Sequence, residues 1–253
     1  MGFLFFGKKK GGESSLQSGT EIFKNFTDWH CHILPGVDDG VQTMEDSLAI
    51  LEQYERWGVK SVWLTPHIME DCPNATSDLR NRFEELKAAY AAQHQARMAH
   101  SQDAGEQATP QSAAVELHLA SENMIDILFE ERLAAGDLLP ITPEGDHLLV
   151  ETSYFNPPIN FYDILEELFD KGYQPILAHP ERYVYMGMRD YDRLKELGVK
   201  FQMNLFSQAG RYGRDVTKKV NALLDKHYYD YCGTDLHRRS MLQAVEEMKL
   251  RNI

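Results

Sequence analysis

Five of the ten histidines fall in short polar clusters, each just past an apolar run. His30 and His32 lie in Asp28-Trp-His-Cys-His-Ile-Leu-Pro-Gly-Val-Asp-Asp-Gly40, His67 in Thr65-Pro-His67, His179 in Ala178-His-Pro180 and His237 in Gly233-Thr-Asp-Leu-His237. Glu122 stands in the same way in Ala120-Ser-Glu-Asn123, and Asp38, Asp39 and Asp235 belong to these clusters. Imidazole and carboxylate in this mixture suit divalent Zn, Mn or Fe. On a strand, residues two apart share a face, so His30 and His32 would converge on one point. Alone, such a pair is more often a loop feature; its repetition at other strand ends favours metal. Five His, one Glu and two or three Asp exceed the needs of one ion. Two or three ions, with Glu122 bridging, use them all. Cys31, Cys72 and Cys232 are odd in number and widely spaced. They offer neither a thiolate zinc site nor a disulfide framework, and fit a reducing cytosol.

The elements that must present these residues alternate along the chain. Strand-like runs cover Ile22–His30, Lys60–Thr65, Val115–Ser121, His147–Thr152, Gln174–His179, Val199–Asn204 and Tyr228–Thr234. Helical patterns cover Met44–Trp57, Asp78–Met98, Met124–Ala135, Phe161–Lys171, Tyr191–Leu197, Asp215–Lys226 and Met241–Leu250. Thr43 and Ser77 read as N-caps, and Gly58, Gly172 and Gly198 as left-handed C-caps. Seven strand–helix units in one domain imply a parallel sheet, closed into a barrel or open and doubly wound. In a barrel, chemistry gathers at the carboxyl ends of several strands, which is where the polar clusters lie. His94, His100, His118, His147 and His227 fall elsewhere and read as structural or solvent-facing.

Length and charge narrow the function. A chain of 253 residues suits one (β/α) barrel domain. A net charge of −13 argues against a non-specific nucleic-acid binder. Residues 1–20 are Gly-, Ser- and Lys-rich and read as a flexible leader before a domain spanning 21–253. The apolar run Phe3–Phe6 is short and its lysines follow it, unlike a secretory signal. The expected location is therefore the cytoplasm, with contact of Phe3–Lys10 at the inner face of the membrane as an alternative. No run approaches the roughly 18 apolar residues of a spanning helix. The polar stretch 99–114 reads as a mobile surface loop. Homo-oligomerisation stays open, because an amphipathic helix reads alike against a core or a partner.

The four motifs Asp28–Gly40, Thr65–His67, Ala178-His-Pro-Glu-Arg-Tyr183 and Gly233–His237 resemble those of bacterial PHP-superfamily protein-tyrosine phosphatases. These are manganese-dependent enzymes of capsule and exopolysaccharide synthesis, and the resemblance runs from about Phe26 to Leu250. It implies an α/β fold, a distorted seven-stranded (β/α) barrel of the PHP type, with a trinuclear site. By that pattern His30, His32, Glu122 and Asp235 hold one ion, Glu122 and His179 a second, and Asp39, His67 and His237 the third. Arg182 then binds the substrate phosphate as a catalytic residue, a task suited to its planar fork. The implied substrate is a phosphotyrosine protein, a bacterial tyrosine autokinase. Clustered ions lower the pKa of bound water towards neutrality, so the expected reaction is in-line attack of that hydroxide on phosphorus. One departure is the loop Ile68-Met-Glu-Asp-Cys-Pro-Asn74, acidic where some relatives carry arginines; Arg211 and Arg214 could supply the missing substrate-binding charge. Three rivals stand beside this reading. One is a PHP phosphatase for a small phosphomonoester such as histidinol phosphate. Another is a metal-bearing module that binds phosphotyrosine without hydrolysis. The third is a cysteine mechanism, since Cys232-Gly-Thr-Asp-Leu-His-Arg238 matches Cys-x5-Arg.

Overall fold

The computed structural model describes residues 16–103 and 113–251. In chain order the elements are β1 (Leu16–Ser18), α1 (Gly19–Ile22), β2 (Thr27–Cys31), α2 (Met44–Trp57), β3 (Ser61–Leu64), β4 (His67–Ile68) and α3 (Thr76–Asp103). Then follow β5 (Glu116–Leu119), β6 (Glu122–Met124), α4 (Ile127–Ala135), β7 (His147–Glu151), α5 (Phe161–Asp170) and β8 (Gln174–Ala178). After a 3-10 turn at Pro180–Arg182 come α6 (Met188–Glu196), β9 (Lys200–Asn204), α7 (Leu205–Gln208), α8 (Arg214–Asp225), β10 (Tyr231–Gly233), α9 (Met241–Glu247) and β11 (Lys249–Arg251).

The strands form a curled parallel α/β architecture. One parallel sheet has the order β10-β9-β8-β7-β6-β4, and a second has β2-β3-β5. The sheets share chain segments, since β3 leads into β4 and β5 into β6. At the other edge, Asp235 N–H donates to His30 O at 2.7 Å and His32 N–H to Leu236 O at 2.9 Å. Period-two alternation builds two apolar layers. Val62, Leu64, Leu148, Val150, Leu177 and Cys232 face the helices in the main core. Trp63, Leu149, Ile176 and Ala178 point the other way into a smaller cluster, joined by Trp29 and Tyr231. Glu151 lies two residues past Leu149, and so on the face of the smaller cluster.

Most expected elements occur with shifted ends. Thr43 caps α2 by accepting from Asp46 N–H at 3.2 Å, and Gly58 follows with φ 76°. Ser77, expected as a cap, lies inside α3, which starts at Thr76. The first strand is shorter than expected, because Ile22 ends α1 and the strand begins at Thr27. Met124 belongs to a strand and not to the helix after it. The last helix stops at Glu247, and Lys249–Arg251 pair antiparallel with Leu16–Ser18. The end of the expected leader is thus paired strand, while residues 1–15 lie outside the described residues. So does most of the expected loop 99–114; its first five residues continue α3. Among the described residues no helix is long and apolar enough to cross a membrane.

Candidate metal centre

The ligand candidates come from the carboxyl ends of the parallel strands. His67 and Glu122 are register partners on β4 and β6, which places them side by side. Met124 and Glu151 are register partners on β6 and β7, so Glu151 enters from the next strand. His179 follows β8 and Asp235 follows β10, both at positive φ of 31° and 52°. Non-glycine residues in the left-handed region are costly, and such strain is concentrated at functional sites. Buried Glu181 holds the His179 turn, accepting from Asn204 N–H at 3.0 Å and Tyr229 O–H at 3.0 Å.

Strict alternation fails in β2. Its register with β3 shifts between Asp28 and Cys31, and Trp29 joins the smaller cluster while Cys31 joins the main core. The irregularity still turns both imidazoles to one point, with Nε2 of His30 and His32 3.0 Å apart. Two glycines permit the approach. A Cβ on Gly233 would lie 2.5 Å from His30 Cβ, and one on Gly40 would lie 2.2 Å from His32 O. His30 Nδ1 lies 2.9 Å from Gln202 Oε1 and His32 Nδ1 2.8 Å from Asp38 Oδ2, which directs both Nε2 atoms inward.

Three overlapping groups result, each with one donor atom per residue within 4.8 Å of the others: His30, His32, Glu122 and Asp235; His32, Asp39, His67 and His237; and His67, Glu122 and Glu151. Glu122 Oε2 is 3.1 Å from both His30 Nε2 and His32 Nε2 and 3.2 Å from His67 Nδ1. Its Oε1 is 2.9 Å from His179 Nε2. Yet Glu122 Oε2, Glu151 Oε1 and His67 Nδ1 are buried with no hydrogen-bond partner. Donors packed this closely without hydrogen-bond geometry fit shared cations, since buried polar atoms otherwise find partners.

The titration of the site carries the same imprint. Burial would lower the pKa of His30, but the charges of Glu122 and Asp235 raise it to about 9. Burial opposes His67 as well, and Glu122 and Glu151 bring it to about 10. Burial would raise Asp235, but His30 and His237 hold it down at about 2. The hydrogen bond with His237 holds Asp39 at about 2. Glu151 goes the other way, pushed up by burial and by the charge of Glu122.

A cleft of about 460 Å³ opens over the groups, lined among others by Glu122, Glu151, Tyr154, Arg182, Arg211 and Arg238. Arg182 donates to Asp235 Oδ2 at 2.7 Å, and its guanidinium lies 4.5 Å from the Tyr154 ring centre and 4.4 Å from that of Tyr212. Arg211 reaches the cleft; Arg214, the first residue of α8, does not line it. Glu70 and Asp71 of the acidic loop are exposed and do not line the cleft, whereas Met69 does. Cys232 is buried on the helix-facing side, and burial pushes its thiol up, so it is no thiolate nucleophile. The residue missed from sequence was Glu151. It ends a strand as the other candidates do, and that position was its available signal. Arg238 was noticed only as part of Cys-x5-Arg, and Tyr154 and Tyr212 had no pattern to mark them.

The fold and donor set make this an α/β protein with candidate metal-binding groups beneath an arginine-bearing cleft. The chain belongs to the capsular polysaccharide synthesis family CpsB/CapC, whose family model matches residues 26–247. It is 25% identical over 215 residues to the tyrosine-protein phosphatase YwqE of Bacillus subtilis, covering 83% of this chain and 76% of that protein. To the tyrosine-protein phosphatase CpsB of Streptococcus agalactiae it is 22% identical over 233 residues, covering 83% and 82%. Among solved structures, the work on YwqE of Bacillus subtilis and CpsB of Streptococcus pneumoniae, described as unique metal-dependent tyrosine phosphatases, provides a match at TM-score 0.70 and 23% identity. It covers 84% of this chain and 80% of the other, a likeness of fold.

Proposed function

We propose that this chain is a metal-dependent tyrosine-protein phosphatase acting on a phosphotyrosine protein, a bacterial tyrosine kinase of polysaccharide synthesis, in the cytoplasm. The observation that carries the reading is three overlapping donor groups directly under a cleft in which Arg182 is already clamped. The family and its named phosphatase relatives support it. The finer architecture we infer is a distorted seven-stranded barrel of the PHP type. It takes β2, β3–β4, β5–β6, β7, β8, β9 and β10 in turn, with the Cys31–Leu236 bridge returning to the start.

The site residues suit two or three divalent ions, manganese first and zinc or iron as alternatives. His30, His32, Glu122 and Asp235 would hold one; His67, Glu122, Glu151 and His179 a second; His32, Asp39, His67 and His237 a third. Such ions supply nucleophile activation and charge neutralisation when bound. The protein's own part is positional. Arg182, its guanidinium held between Tyr154 and Tyr212, presents donors to the phosphoryl oxygens without reorganising. Arg211 and Arg238 add cationic charge at the mouth. Water adds to phosphorus, the bond to the tyrosine oxygen breaks, and tyrosine and inorganic phosphate leave. Phenolate, with a pKa of about 10, leaves with little help from a general acid.

The test is phosphate release from a phosphotyrosine peptide by chelator-stripped protein, before and after manganese is added back. Activity that vanishes and returns is expected. Activity that survives stripping, and is lost in Cys232→Ser, would overturn the reading. Release from histidinol phosphate but not from the peptide would transfer it to a small-substrate phosphatase.

A further inference from the structure

Four of the five large apolar side chains that stand exposed among the described residues are Ile127, Phe155, Ile159 and Val184. They sit on the segments that follow three neighbouring strands, β6, β7 and β8. The fifth, Leu197, caps α6 at the opposite ends of the strands. The exposure is large: 65% for Ile127, 70% for Phe155, 63% for Val184 and complete for Ile159. Scattered exposed apolar residues need no explanation, but a group on fixed neighbouring loops marks an interaction surface. These loops are fixed. Val184 N–H donates to Tyr154 O at 2.8 Å, Ile125 N–H to Glu151 O at 2.9 Å, and Asn160 Nδ2 to Glu130 Oε1 at 3.0 Å. Pro157 and Pro158 stiffen the middle loop.

Two of these residues adjoin cleft-lining residues along the chain. Phe155 directly follows Tyr154, whose ring centre is 4.5 Å from the Arg182 guanidinium and 5.7 Å from the His179 ring. Val184 lies two residues beyond Arg182 itself. Arg211 and Arg238 are the exposed arginines of the cleft lining, so the mouth has both cationic and apolar flanks. A polypeptide whose phosphotyrosine reaches the donor cluster must leave the cleft over its edge. At about 3.3 Å per extended residue, positions two or three from the phosphotyrosine lie about 7–10 Å along the chain from it, a reach that suits the segments bordering the cleft.

Building on the phosphatase reading, we infer that this apolar rim docks the substrate chain on one side of its phosphotyrosine. The preferred substrate is therefore a segment with apolar or aromatic side chains within about three residues of the phosphorylated tyrosine. Two peptides test this, one with Leu and Phe flanks and one with Ser and Gly flanks, beside para-nitrophenyl phosphate as a substrate that cannot reach the rim. The manganese-loaded wild type and the double variant Phe155→Ser/Ile159→Ser are compared. Both substituted residues are exposed and outside the donor cluster, and an unchanged melting temperature verifies the fold. The wild type is expected to prefer the apolar-flanked peptide about tenfold, the effect of partly burying one or two apolar side chains. The variant loses that preference through KM while para-nitrophenyl phosphate turnover stays unchanged. Equal rates on both peptides in the wild type, or an undiminished preference in the variant, would overturn the proposal and leave the phosphatase reading intact. So would loss of self-association or of vesicle binding in the variant with unaltered peptide kinetics, because a second copy or a lipid surface would then be the occupant. A wild type inactive on all three substrates would remove the phosphatase reading and this proposal with it.

Discussion

Replacing Glu151 with Gln separates a metal ligand from a structural carboxylate, because the two roles give opposite signs. Glu151 is 2% exposed at the end of β7, with Oε1 3.2 Å from His67 Nδ1 and without a hydrogen-bond partner. In metal-free protein, burial and the charge of Glu122 raise its carboxyl above the usual range. A carboxyl raised in the folded state costs stability at any pH where it must ionise, and Gln removes that cost. The stripped variant should therefore melt at or above the wild-type temperature. With ions present, the same change deletes a donor. Loss of even an outer-shell partner lowers metal affinity about 10–100-fold, which sets a lower bound for a direct ligand. At manganese a hundredfold above the wild-type Kd, binding stabilises the fold by about 2.7 kcal/mol; an affinity lower by that range leaves about 0.4–1.4 kcal/mol. The deficit of about 1.3–2.3 kcal/mol corresponds to about 3–9 °C of melting temperature in a chain of this size. Calorimetry of stripped and manganese-loaded protein, with bound metal counted by mass spectrometry, reads both signs. A metal-induced rise equal to that of the wild type would refute the ligand role. A lower melting temperature without metal would make Glu151 a carboxylate that holds the fold.

Two further outcomes follow from the same geometry. Arg182→Lys keeps the charge but loses the planar fork clamped between Tyr154 and Tyr212, so kcat/KM on a phosphotyrosine peptide should fall about a hundredfold. Bound metal should be unchanged, and wild-type kinetics in this variant would remove Arg182 from phosphate binding. In stripped protein His30 and His67 titrate at about 9 and about 10, so both are charged at neutral pH, and each must lose its proton to become a ligand. Metal binding at neutral pH should then release protons, and affinity should rise with pH until these imidazoles are neutral. Titration calorimetry in buffers of different ionisation enthalpy measures the release; heats independent of the buffer would contradict the assigned donors.

The alternation of apolar runs with amphipathic segments is a local property, which is why β7, β8, β9, α2 and α5 lie close to where periodicity puts them. What sequence obscured was decided by contacts between distant segments. Residues 16–18 carry too little apolar pattern to read as a strand and become one only by pairing with Lys249–Arg251. The runs around His67 and Glu122 each break into two short strands belonging to different sheets, a division no period announces. The histidines were legible because imidazole past an apolar run is unusual. Glu151 was not, because a glutamate closing a strand is unremarkable until β4, two strands away across β6, sets His67 beside it. Arg214 shows the converse. It shares a short motif with Arg211, yet three residues carry it to the start of α8 and away from the cleft.

The same long-range logic governs how the site is assembled. His30 and Asp235, 205 positions apart in sequence, belong to one donor group only because β2 lies beside the end of β10. Buried Asp28 makes that junction: its carboxylate accepts from Thr234 N–H at 2.8 Å, Thr234 Oγ1 at 2.7 Å, Tyr54 O–H at 2.8 Å and His30 N–H at 3.3 Å. Burial pushes its carboxyl above the usual range, and hydrogen bonds from three other residues oppose that rise. One of those donors is the backbone of His30, and another belongs to the residue before Asp235. The carboxylate that joins the ends of the sheet thereby also sets the separation of two candidate donors, His30 and Asp235. Closing the fold and assembling this donor group are in this respect one event, and cations held there would stabilise the junction between β2 and β10.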